Sequence, residues 1–86
     1  MALQRAEVEA EILKFVASRC PNYSGLGRDT DLLEEELLDS LLLIDVIYQI
    51  EERYGIKLGG EHVGPVHFRT PGTIVDLVLS QAAPQA

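Results

Sequence analysis

The sequence predicts an all-α fold, a small bundle with three main helices and one short or irregular helix. Three observations lead there. Apolar residues recur at spacings of three and four in three separate segments. Two of those segments are bounded by residues that start or stop helices. The one strand-like alternation, Ile56-Lys57-Leu58, has no partner strand elsewhere and reads as an extended linker. At 86 residues the chain is long enough for one hydrophobic core without a metal or disulfide staple. We expect residues 1–82 to form one domain and 83–86 to be a flexible tail.

The first helix is expected from about Arg5 to Ser18, where Val8, Ile12, Phe15 and Val16 make one apolar face and the leading acids suit the helix dipole. Pro21 disfavours helix at Cys20, and Asn22-Tyr23-Ser24-Gly25-Leu26-Gly27 is turn chemistry, so a long connection reaches about Asp29. Thr30 or Asp31 is placed to cap a short turn that drops Leu32 and Leu33 into the core.

Asp39 or Ser40 is placed to cap the second helix, which should run to about Tyr54 and stop at Gly55. Between Leu41 and Ile50 only Asp45 and Gln49 are polar, more apolar surface than one core stripe requires. Leu43, Val46, Ile47, Ile50 and Tyr54 are assigned to the core. Leu41, Ile44 and Tyr48 form a second stripe beginning one residue after Ser40. Either it is an exposed docking or acyl-binding surface, or later helices cover it. Gly59-Gly60 opens a loop through Pro65 with room for one irregular helical turn. Thr70 then caps the last helix, Pro71 takes its first position, and Ile74, Val75, Leu77 and Val78 supply its apolar face.

The formal net charge is −7, which argues against nucleic acid as a partner. The acids are concentrated. Asp29, Asp31, Glu34, Glu35, Glu36, Asp39, Asp45, Glu51 and Glu52 fall in one window free of Lys and Arg, with Ser40 inside it. Such a field steers basic partner surfaces, although charge runs are more often plain solvated faces. A single cysteine, Cys20, cannot pair within the chain, so a reducing compartment is the simplest reading. The N-terminal residues contain no apolar run able to act as a signal or to span a bilayer. We therefore expect a cytoplasmic protein without stable membrane insertion.

Two stretches carry a family resemblance. Leu37-Leu38-Asp39-Ser40-Leu41, followed by Ile44, Val46, Ile47, Ile50, Glu51, Tyr54, Ile56 and Leu58, resembles the phosphopantetheine-dependent carrier proteins, the acyl and peptidyl carriers. Phe68-Arg69-Thr70-Pro71 leading into Ile74-Val75 is similar to the Trp-x-Thr-Pro segment of D-alanyl carrier proteins, the closest relatives by motif. The resemblance implies a four-helix carrier-protein-like bundle that catalyses nothing itself. It implies a 4′-phosphopantetheine arm, derived from coenzyme A, attached to Ser40, with Asp39 and Leu41 beside it. Leu41, Ile44, Tyr48, Glu51 and Glu52 then match partner-binding positions. The implied partners are a phosphopantetheinyl transferase, an acyl- or amino-acid-activating ligase and downstream acyl-transferring enzymes, serving a monomeric, free-standing carrier of an acyl or aminoacyl thioester. Leu42 and Leu43, commonly polar in fatty-acid carriers, and the glycine-rich 59–65 segment depart from the pattern. They favour a dedicated pathway carrier over the general fatty-acid carrier.

Other readings of the same residues are weaker. A small helical protein-interaction domain would leave Ser40 as only a helix cap. A serine hydrolase using His62 or His67 lacks the glycines of a nucleophile elbow. Those histidines and the distant Cys20 fit no zinc spacing. Gly25-x-Gly27 lacks the third glycine, the preceding strand and the lysine of a phosphate loop.

Overall fold

In a computed structural model of the chain, residues 4–59 and 64–82 are described. His62, Gly60 and the 83–86 tail expected from the sequence lie outside the described residues. Among those residues the chain forms α1 (Arg5–Arg19), α2 (Ser40–Tyr54), α3 (Pro65–Phe68) and α4 (Pro71–Ala82), and no strand. The fold is all-α, as the periodicity predicts. No helix among the described residues is long and apolar enough to cross a membrane.

Each boundary has a local cause. After α1, the Cys20 N–H donates to the Ala17 carbonyl at 3.1 Å and Pro21 follows. Asp39 is the N-cap of α2, extended at φ −125°, and its Oδ1 accepts the Leu42 N–H at 2.8 Å. Gly55 ends that helix in the left-handed region at φ 66°, its N–H returning to the Glu51 carbonyl. Before α4, Thr70 Oγ1 accepts the Thr73 N–H at 3.0 Å while Thr73 Oγ1 accepts the Thr70 N–H at 3.1 Å, a reciprocal box with threonine in the place usually held by glutamate.

The core joins all four helices. Val8, Ile12 and Val16 of α1 meet Leu42, Val46 and Ile50 of α2, Phe68 of α3, and Ile74, Val75, Leu77 and Val78 of α4. Burial of each such side chain favours folding by about 1.5–3 kcal/mol before chain entropy is subtracted. The Arg19–Asp45 and Arg53–Glu11 ion pairs fix α1 and α2 as antiparallel neighbours, because later residues of one meet earlier residues of the other. α3 packs on α4, and α2 packs on α1 and α4.

The long connection from Cys20 to Asp39 is pinned rather than draped. The Leu32 N–H donates to the Arg69 carbonyl at 2.7 Å, the Gly72 N–H to the Arg28 carbonyl at 2.8 Å, and Arg69 Nε to Asp31 Oδ2 at 2.7 Å. Asp31 caps the turn, Oδ1 accepting from Leu33 and Glu34, and Glu36 adopts φ 59° to close it. Thr30 turns back instead, accepting the Gly27 N–H. Backbone bonds to Glu34, then the Arg69 guanidinium, hold the Asp31 carboxyl below its usual range. These ties deliver Asp39 to the start of α2.

Two core assignments change. Leu32 is fully buried, but Leu33 is exposed, because the N–H tie to Arg69 commits Leu32 inward and the next residue of the tight turn faces away. On α2 the buried line is Leu42, Val46 and Ile50, with Leu43, Ile47 and Tyr54 only partly buried. The inward face is thus rotated from the expected one, and Leu42 belongs to it. The extended linker is as expected, with Ile56 and Leu58 half-buried and Lys57 exposed.

Candidate functional site

Ser40 is the first residue of α2 and is exposed. Because the Asp39 carboxylate makes the cap, the Ser40 hydroxyl is not a cap and forms no hydrogen bond among the described residues. Of the two capping candidates, Asp39 or Ser40, it is Asp39 that makes the cap. The position also has an electrostatic character. Leu42 and Leu43 donate their N–H groups to Asp39, while those of Ser40 and Leu41 have no intrahelical acceptor, as at any helix start. The positive end of the helix dipole therefore lies at the hydroxyl, offset by the Asp39 carboxylate that caps it.

From Ser40 the second stripe runs along α2 uncovered. Leu41 is 75% exposed, Ile44 60% and Tyr48 64%. The alternative that later helices cover these residues fails among the described residues, since α3 packs on α4. Exposing three large apolar side chains in a row on one helix is unfavourable in water unless something binds them. Val66, 79% exposed on α3, is a further bare apolar residue that periodicity did not single out.

On the other side of Ser40 lies a hollow of about 290 Å³ lined by Leu33, Leu38, Asp39, Ser40, Leu43 and Gly64. Sequence reasoning missed it because it assigned Leu33 and Leu43 to the core. The available signal was Asp31, whose cap fixes a turn too tight for Leu32 and Leu33 both to point inward.

The acid window is partly neutralised. Arg69 holds Asp31, Arg28 approaches Asp29 at 3.8 Å and Arg19 approaches Asp45 at 3.6 Å. Arg5 and Arg53 pair with Asp76 and Glu11 elsewhere. Glu51 is half-buried and accepts the Leu58 N–H at 3.0 Å, so its carboxylate anchors the linker. Glu34, Glu35, Glu36 and Glu52 carry no ion pair among the described residues and are exposed. Asp39 and the exposed Glu34, Glu35 and Glu36 precede Ser40 in the chain, whereas Glu52 lies near the far end of α2, about 18 Å along its axis. Of the two glutamates singled out by sequence, Glu52 is the freer for a partner. Cys20 is pushed up by burial and then by the Asp39 charge, which keeps its thiol protonated and poorly nucleophilic.

No family model matches the sequence, and no curated protein matches it. A solved structure described as "Crystal structure of FAD-dependent dehydrogenase" contains a chain 28% identical to this one. The two superpose with a TM-score of 0.70 over 78% of this chain and 97% of that chain. The compared chain is therefore shorter than this one and shares its helical fold.

Proposed function

We propose that the chain is a carrier that holds an acyl or aminoacyl group on a 4′-phosphopantetheine arm attached to Ser40 and presents it to partner enzymes. The observation that carries the reading is the division of labour at the start of α2. Asp39 does the capping, which leaves an exposed serine hydroxyl with no hydrogen bond among the described residues, at a helix N-terminus, between two apolar surfaces.

In the loading step Ser40 Oγ attacks the β-phosphorus of coenzyme A. The new Oγ–P bond replaces the bond to 3′,5′-ADP, and the serine proton passes to a base of the phosphopantetheinyl transferase. When bound, the arm supplies a thiol that carries the cargo as an activated thioester. The chain's own residues do the rest. Ser40 would tether the arm, the N–H groups of Ser40 and Leu41 that lack an intrahelical acceptor would be available to its phosphate, and Leu41, Ile44 and Tyr48 would dock partners whose approach Glu52 and Glu34–Glu36 steer. Tethering raises the effective concentration of one cargo at several active sites. An activating ligase and downstream acyl-transferring enzymes complete the partner set.

The neighbour's description belongs to that protein, and a shared fold at 28% identity does not by itself carry an activity to this chain. We count a flavin-dependent dehydrogenase acting on the held cargo among the downstream enzymes to be tested. The exposed stripe alone also fits a protein-interaction domain, but that reading gives the unbonded Ser40 hydroxyl no role. Incubation with a broad-specificity phosphopantetheinyl transferase and coenzyme A bearing a fluorophore on its thiol separates the two. The carrier reading expects label on the parent and none on Ser40→Ala. An unlabelled, folded parent would leave the interaction-domain reading.

A further inference from the structure

The two apolar surfaces beside Ser40 lie on opposite sides of it. At about 100° per residue, Leu43 falls about 60° to one side of Ser40, and Ile44, Tyr48 and Leu41 fall about 40–100° to the other. The stripe is convex and bare, the natural form of a docking surface. The hollow is concave, and Ser40 is itself part of its wall.

We infer that the hollow walled by Leu33, Leu38 and Leu43 seats the gem-dimethyl end of a phosphopantetheine arm on Ser40, so that the arm leaves the α2 stripe clear for partners. This rests on the carrier reading. The first carbons beyond the phosphate are apolar, a quaternary carbon bearing two methyl groups, and the tether confines them to the immediate surroundings of Ser40. Two apolar surfaces are within that reach. Only the concave one removes the methyl groups from water on several sides at once, which is what makes apolar burial favourable. Charge acts in the same direction at the other end of the ester. Asp39 lines the hollow and repels the phosphate, which settles over the free N–H groups at the start of α2 while its apolar extension turns down against the leucines. At about 290 Å³ the hollow is at the small end of ligand pockets. It takes the root of the arm and leaves the amide portions, thiol and cargo outside, where partner active sites reach them.

The test is methyl NMR on the full chain after loading from coenzyme A, with loading verified by the gain of one phosphopantetheine in intact mass. The seat predicts nuclear Overhauser effects from the two arm methyl groups to the methyls of Leu33, Leu38 and Leu43, and none to those of Leu41 and Ile44. It also predicts arm methyl shifts displaced from those of free coenzyme A. In Leu33→Ser, an exposed loop change that leaves the core intact, those shifts should move at least halfway back. Contacts to Leu41 and Ile44 instead, or arm shifts equal to free coenzyme A in the loaded parent, would overturn the seat while leaving the carrier reading standing. Absence of the mass gain would overturn both.

Discussion

Asp39 caps the helix that Ser40 begins: the Asp39 carboxylate takes the Leu42 N–H at 2.8 Å, and the adjacent Ser40 hydroxyl is left exposed and without a hydrogen bond among the described residues. One residue holds the helix start and its neighbour is free for chemistry. The pair therefore separates by mutation. Ser40→Ala should change unfolding free energy by no more than about 0.5 kcal/mol, as for a surface side chain without contacts. Asp39→Ala should cost about 0.5–2 kcal/mol through the lost cap. Denaturant unfolding of both variants is the check, and a Ser40→Ala loss as large as that of Asp39→Ala would contradict the assignment.

Glu51 and Glu52 are adjacent but do different work. Glu51→Ala leaves the half-buried Leu58 N–H without its acceptor and should destabilise by about 1–3 kcal/mol. Glu52→Lys should leave stability within about 0.5 kcal/mol and slow association with the phosphopantetheinyl transferase, more at low than at high salt. Stopped-flow association across a salt series measures this. Equal slowing at every ionic strength would remove Glu52 from the steering field.

Acid should release the loop latch. The Asp31 carboxyl is held low by the Glu34 N–H first and by Arg69 next, so its charged form is favoured in the folded state. Its contribution to stability is complete above the ordinary aspartate value of 3.8 and is lost as pH falls through the lower folded value. The stability difference between the parent and Asp31→Asn should therefore be present at neutral pH and shrink in acid. A difference independent of pH would contradict the latch.

Gly72 sits at a close approach between α4 and the loop, without a glycine-specific dihedral. A Cβ there would lie 3.0 Å from the Arg28 carbonyl oxygen, the same atom that accepts the Gly72 N–H at 2.8 Å. Gly72→Ala should cost about 1–3 kcal/mol, the range for overpacking, and loosen the loop that leads to Ser40. Unfolding midpoints that match the parent would show that the loop yields freely.

The helices were legible because their ends carry chemistry: Asp39 and Gly55 bound α2, and Thr70-Pro71 opens α4. The phase of α2 was not legible. Leu41 to Ile44 is an unbroken apolar run, so no polar residue marks which side faces inward, and packing against α1 and α4 selects Leu42 over Leu43. Leu33 was misplaced for a related reason: two consecutive leucines look alike until the Leu32–Arg69 backbone bond decides which one turns in. The stripe of Leu41, Ile44 and Tyr48 was visible as a periodic pattern. Its exposure was not, because that depends on where α3 packs.

The most direct test is intact-protein mass spectrometry of the parent and of Ser40→Ala after incubation with coenzyme A and a broad-specificity phosphopantetheinyl transferase. The account predicts a gain of one phosphopantetheine on the parent and none on the variant. A folded parent with unchanged mass, or a variant that still gains the group, would contradict it.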